Sequence, residues 1–193
     1  MVITQTTGMM MGDDLEDNWQ KVLSKTGELT DRLGMPVDEG IIETVVVLNL
    51  LGFTTTASCE GHLDRVTGGP YVIFESPEAV QLAKGARKIN NKPGQVDPEY
   101  NRLRNEASRH SMQLLQKLIP YLEEFYKGRD TTYVDRVIIY HADLGCAHNI
   151  LMCQGAKLAH AVDDKMSNKK ALIANQSEMN AFTEFLKNAY FGN

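Results

Sequence analysis

The sequence is short of cysteine, of positive charge, of aromatic residues and of unbroken apolar runs, and each shortage closes off a class of function. Its three cysteines, Cys59, Cys146 and Cys153, make a poor disulfide framework. The chain has no basic start followed by an apolar run, so reduced thiols in a cytoplasmic setting are expected. The longest apolar stretch, Ile41 to Leu51, is interrupted by Glu43 and Asn49. It is far shorter than the roughly 20 residues that cross a bilayer, so no membrane partner is expected. Lysine and arginine number 20 against 25 acidic residues, a net charge of −5. A chain of that sign has no global pull toward nucleic acid.

What remains is ordinary globular protein: 193 residues, 42% hydrophobic and 23% charged, enough to bury a core without staples. No repeat or low-complexity linker divides it, which predicts one domain over residues 20–193. Met1 to Trp19, rich in Thr, Gly, Met and acid and without periodicity, reads as a mobile tail.

A helix is expected over about Leu15 to Leu33, weakened at Gly27. Asp38 stands where an N-cap should, and Glu39 to Leu51 is apolar on most sides, with carboxylates in its first turn and Gly52 just past its end. That pattern predicts a central helix. Phe53–Ser58 and Tyr71–Phe74 read as strands joined by a polar loop. Ser76-Pro77-Glu78 and Asp97-Pro98-Glu99 are helix starts. The second of these helices carries Leu103, Ala107, His110, Leu114, Leu118 and Leu122 on one face, with Pro120 expected to kink or split it. Tyr133–His141 and Asn149–Cys153 form a second strand pair, and Ser177 caps a last helix. Hairpins rather than parallel crossovers predict an α+β fold, a mainly antiparallel sheet built from two hairpins with helices packed on one face.

The densest chemistry is Ser58-Cys59-Glu60-Gly61-His62-Leu63-Asp64, where a strand leaves the sheet and can aim side chains at a ligand. Three uses fit these residue types. Cys59 could be a nucleophile with His62 stabilising its thiolate. Cys59 and His62 could be half of a zinc site, completed by Cys146 and His148. Glu60 or His62 could be a general base without a covalent step. The bland alternative is a buried cysteine beside an ordinary turn. His141 and Asp143, near the second hairpin loop, are candidate catalytic partners reaching Cys59 across the sheet. Arg87 and Lys88 belong to a basic stretch that could hold a phosphate, although a solvated helix face explains it more simply, and no aromatics interleave it.

Two resemblances follow from these residues. Asp38-Glu39-Gly40-Ile41, Leu48-Asn49, Gly52-Phe53, the run Thr-x-x-Ser58-Cys59-Glu60-Gly61-His62, Pro70-Tyr71-Val72 and the ending around Glu178, Phe182 and Leu186 resemble a family of small uncharacterised bacterial and phage proteins. That likeness points to the Cys59 loop as the site and implies no reaction. Over a shorter span, the Asn-bearing helix and Thr55-Thr56-Ala57-Ser58-Cys59-Glu60-Gly61-His62 are similar to the wybutosine-synthesis tRNA methyltransferase family. Here His62 replaces that family's arginine and Glu60 a serine. This second likeness implies a nucleotide or RNA ligand, which the acidic balance of the chain disfavours. The sequence therefore supports a small enzyme or enzyme-like ligand-binding protein with its pocket at Cys59-Glu60-Gly61-His62. A non-catalytic interaction protein with a structural, zinc-clipped loop and a nucleotide- or RNA-associated factor are the alternatives.

Overall fold

The computed structural model describes residues 12–31, 33–64, 68–89, 97–141, 148–157 and 165–192. Helix α1, Gly12–Gly27, begins inside the stretch expected to be a tail and ends at the glycine expected to weaken it. The apolar face of α1 accounts for this. Trp19 is 5% exposed, with its ring centroid 5.7 Å from that of Phe191 and the Lys187 ammonium 5.3 Å above it. An anchored Trp outweighs the polar composition around it.

A 3-10 turn, Glu39–Ile41, leads into α2, Ile42–Leu50, whose residues Thr44 to Leu48 are buried. This is the central helix the apolar pattern predicts. Four strands follow the expected order: β1 Thr54–Cys59, β2 Tyr71–Glu75, β3 Val137–His141 and β4 His148–Cys153. They form one antiparallel sheet in the order β1-β2-β4-β3, so the two hairpins join through β2 and β4 and β1 lies at an edge. The register places Cys59 opposite Tyr71 and Tyr71 opposite Met152, while Glu75 faces His148 at the other end of the sheet.

One sheet face presents Val72, Phe74, Asn149, Leu151 and Cys153, all buried. Phe53 packs edge-on against Phe74 at 5.5 Å, Ser111 of the helix Pro98–Tyr126 accepts from the Asn149 amide, and the Cys153 thiol donates to the Asn175 carbonyl of the helix Lys165–Phe191. The helices therefore cover one face, as an α+β fold requires. Each fully buried large apolar side chain, such as Leu118, Phe182 or Leu186, contributes about 1.5–3 kcal/mol by leaving water.

Helix α3, Pro77–Arg87, is capped by Ser76, whose hydroxyl accepts from the Ala79 amide. Helix α4, Pro98–Tyr126, continues through Pro120, where a kink or a split was expected, so it is not split there. Pro120 is exposed, so the carbonyl it leaves without a partner can be hydrated. Helix α5, Lys165–Phe191, starts well before Ser177, which sits exposed in mid-helix instead of capping it.

Asn49 fastens α2 to β1. Its amide donates to the Thr55 hydroxyl and its carbonyl accepts from the Thr55 backbone N–H. Thr44 and Thr183 share a buried 2.7 Å hydroxyl bond between α2 and α5. These contacts fix α2 against the start of β1 and α5 against α2.

Candidate functional site

The site forms where three pieces of chain meet: the turn before α2, the exit of β1 and the flank of α5. Asp38 is extended (φ −59°, ψ 137°) and does not cap the following helix with its side chain. Its carboxylate turns to the β1 exit instead. There Oδ2 accepts from the Glu60 backbone N–H at 3.1 Å and faces His62 Nε2 at 3.4 Å. The Cys59 thiol bonds to the same carboxylate. Burial alone raises the pKa of Asp38, but the Glu60 amide, the His62 ring and the Cys59 thiol together hold it below the ordinary carboxylate range. Asp38 is thus an anion at neutral pH and the hub of the cluster.

Asp38, Cys59 and His62 each present one donor atom, and the three atoms lie within 4.8 Å of one another. Cys59 is 1% exposed, while the side chains of Asp38 and His62 are 26% and 30% exposed. The cluster is therefore closed on its sulfur side and open on the other. The Gly61 N–H donates to Cys59 Sγ at 3.4 Å.

Neighbouring contacts hold this geometry. Glu60 Oε2 accepts from the Gly40 N–H at 2.8 Å, tying the loop to the turn that carries Asp38. A Cβ at Gly40 would lie 2.7 Å from that oxygen, so a larger residue there would push the Glu60 carboxylate off the Gly40 N–H. Gln176 of α5 donates to the Glu60 and Gly61 carbonyls at 3.1 and 3.5 Å. Gly61 adopts φ +91°, and a Cβ there would meet the Gly69 carbonyl carbon, the Pro70 nitrogen and Leu172 at 2.8 Å each.

Asp38 also borders a cavity of about 680 Å³ between β1 and the 29–38 segment. Leu29, Leu33 and Met35 line one side, Thr55, Thr56 and Ser58 the other. The segment is preformed: Asp31 Oδ1 accepts from the Leu33 and Met35 amides, and Thr30 bridges to Pro36. A cavity of this size suits a small organic ligand.

The structure gathers the first predicted cluster and places His141 and His148 of the second away from it. Cys59, Glu60 and His62 stand together, and Ser58 lines the cavity beside them. Asp64 is exposed on the turn beyond. His148 does not join Cys59 and His62, because it faces Glu75, four residues along β2 from the partner of Cys59. At about 3.3 Å per residue that is ~13 Å. There the His148 ring pairs with the Glu75 carboxylate. The proposed pairing of Cys59 and His62 with His148 is thereby corrected.

His141 does not reach Cys59 either, since two strands lie between β3 and β1. Its Nδ1 bonds Asn149 Oδ1 at 3.0 Å, and the Asn149 amide donates to Ser111, so the imidazole braces β3 and β4 against α4. Asp143 and Cys146 lie outside the described residues. Arg87 and Lys88 are exposed at the end of α3, which begins beyond Glu75 at the opposite end of β2 from Cys59, and no residue of α3 lines the cavity. On α4, Arg102 is bound by Glu99 and Glu106, and Arg109 by Glu106, which spends much of that helix's positive charge locally.

Two residues of the site escaped the sequence reading. Asp38 looked like a helix cap, although it opens the run shared with the first resemblance. Nothing marked Gln176. Cys153, by contrast, is buried, with its thiol pushed up to about 12 by burial and the nearby Glu178 carboxylate, so it is inert. Compared with known proteins, the chain matches no family model, no curated protein and no solved structure.

Proposed function

We propose that this protein is a small enzyme that binds its substrate in the cavity between β1 and the 29–38 segment and acts on it with Asp38, Cys59 and His62 at the end of that cavity. The observation that carries the reading is a carboxylate, a thiol and an imidazole gathered within 4.8 Å of one another, with the carboxylate, Asp38, on the wall of a cavity. Second contacts hold Asp38, Cys59 and the loop that carries His62, as sites that act on a reacting atom require. A thiol nucleophile activated by imidazole is the least suited of the chemistries, because His62 Nε2 and the Cys59 thiol both address Asp38. The carboxylate, not the imidazole, is the common acceptor, so polar chemistry organised around Asp38 and His62 fits better.

A panel of p-nitrophenyl carboxylate and phosphate esters tests this. The wild type should hydrolyse at least one of them, and His62→Gln and Asp38→Asn should each lose about 100-fold or more with the fold intact by circular dichroism. Equal turnover by both variants refutes the assignment.

A second reading, a structural staple, draws on the near-complete burial of Cys59 and the grip of Gln176 on the loop. It expects no turnover of any ester and unfolding of Cys59→Ser.

A further inference from the structure

The donor set at the end of the cavity is chemically mixed: a carboxylate oxygen, a thiol sulfur and an imidazole nitrogen within 4.8 Å of one another. Bonds of about 2.0–2.3 Å at tetrahedral angles place ligand atoms roughly 3.3–3.7 Å apart. Asp38 Oδ2 and His62 Nε2 already stand at 3.4 Å. A contraction of about 1 Å at most brings the remaining pairs to that spacing, and two of the three side chains are open enough to make it.

We propose that Asp38, Cys59 and His62 bind a single zinc ion whose fourth position faces the open side of the cluster, where Asp38, which also borders the cavity, and His62 are partly exposed. This deepens the reading of the cavity as an active site and rests on it for the role of the fourth position.

Ligand chemistry favours zinc over magnesium or calcium, because thiolate and imidazole donors suit borderline-soft ions and those two demand oxygen. Charge favours it as well. One divalent ion is balanced by the Asp38 carboxylate and a Cys59 thiolate, so the loaded cluster is neutral where it is half-buried.

The surrounding hydrogen bonds are those that orient metal ligands. The Gly61 N–H points at the sulfur, the Glu60 N–H fixes the carboxylate oxygen, and the Gly40–Glu60 bond holds the two ligand-bearing segments together. Among the described residues the group holds three donors. Three protein ligands with one open position is the pattern of catalytic zinc, whereas structural zinc is closed by four.

Binding exchanges protons in a defined way. Zinc takes the lone pair of the Cys59 sulfur and the thiol proton leaves to solvent. His62 ligates through Nε2 with its ring proton on Nδ1, and Asp38 is already ionised. The thiol thus releases one proton per ion, which lowers apparent affinity about tenfold for each pH unit of acidification over the range in which the thiol is protonated. In the open position a bound water would supply hydroxide near neutral pH for attack on an ester bond.

The test is zinc titration of full-length, untagged, EDTA-stripped protein, read by calorimetry and elemental analysis, with cobalt as a spectroscopic probe. One equivalent should bind, and cobalt should give a sulfur-to-metal charge-transfer band with intense tetrahedral visible bands. Cys59→Ser should lose the charge-transfer band, and His62→Gln and Asp38→Asn should weaken zinc by about 100-fold or more. His62→Gln is the control for folding, because that side chain is partly exposed.

Substoichiometric zinc, a cobalt spectrum without thiolate character, or equal affinity in Cys59→Ser overturns the proposal. Its failure is distinguishable from failure of the enzyme reading. Ester hydrolysis by fully zinc-free protein removes the metal and leaves the enzyme, while one bound zinc without hydrolysis leaves the metal and removes the enzyme.

Discussion

Replacing Asp38 by Asn separates the two jobs of this carboxylate, because the amide keeps its shape and loses its charge. In metal-free protein the carboxylate accepts from the Glu60 N–H, faces His62 and takes the Cys59 thiol. Hydrogen bonds to a charged group contribute about 1.5–3 kcal/mol when well buried, and partial exposure screens this toward ~1–2 kcal/mol. For a chain of this size each kcal/mol moves the melting temperature by about 2–4 °C. Asp38→Asn should therefore melt ~2–8 °C lower at pH 7.

The pH dependence follows from the lowered pKa of Asp38. A carboxyl whose folded pKa lies below its unfolded one stabilises above the unfolded value, near 4, and loses that contribution as pH falls through the folded value. The gap between wild type and variant should thus be full at pH 7 and close below about pH 4. Zinc at about 100 times its dissociation constant adds ~2.7 kcal/mol to the wild type, or roughly 5–11 °C, and little to the variant. The assay is thermal melting followed by circular dichroism over pH 3–8, with and without zinc. A stability gap that persists unchanged below pH 4, or an equal zinc shift in both proteins, would refute the reasoning.

Gly61→Ala should cost about 3 kcal/mol, combining left-handed strain at φ +91° with overpacking against backbone atoms 2.8 Å away. Chemical denaturation should show it as a lower midpoint with an unchanged slope. Gly40→Ala should be milder, within ~1 kcal/mol, because its new methyl meets only the mobile end of Glu60. It should still weaken zinc about tenfold by breaking the Gly40–Glu60 tie, which titration calorimetry can measure. Cys153 should remain unalkylated by iodoacetamide at pH 8 in native protein and react only after denaturation, as peptide mass mapping would show, because burial and Glu178 push its thiol up to about 12.

Local pattern carried most of the fold. The runs Phe53–Ser58 and Tyr71–Phe74 fall within one residue of the strands Thr54–Cys59 and Tyr71–Glu75, and the Ser76-Pro77 and Asp97-Pro98 starts land where helices begin. The misreadings share one cause, which is that tertiary contacts overrode local chemistry. Trp19 anchors a helix in a polar stretch, and Pro120 sits in an exposed turn of a helix held elsewhere by Ala107, Ser111, Leu114, Leu118 and Phe125. The site was half legible. Cys59, Glu60 and His62 are adjacent in sequence, so their clustering is visible there. Asp38 lies 21 positions before Cys59 and Gln176 more than a hundred after it, and the packing of α2 on β1 and of α5 on α2 brings them in. The histidines near the second hairpin show the converse: similar residue types are used up in the Asn149 network and the Glu75 pair.

Asp38 gave the most misleading local signal, and that follows from what the residue does. A carboxylate immediately before an apolar helix is ordinarily spent on the helix's free N–H groups. Here the 3-10 turn Glu39–Ile41 leaves the cap unmade by that side chain, and the carboxylate serves the β1 exit instead. The helix forgoes roughly 1 kcal/mol of capping. The site gains an anion held by a backbone N–H, an imidazole and a thiol at once. Its two outer anchors, Gly40 to Glu60 and Gln176 to the Glu60 and Gly61 carbonyls, come from the turn before α2 and from α5, and a buried hydroxyl pair fastens α2 to α5. Loosening that pair, as Thr183→Val would, should therefore reach the cluster through the framework and weaken zinc binding without touching any of the three donors. A Thr183→Val protein that remains folded with unchanged zinc affinity would show that the cluster is held by the loop alone.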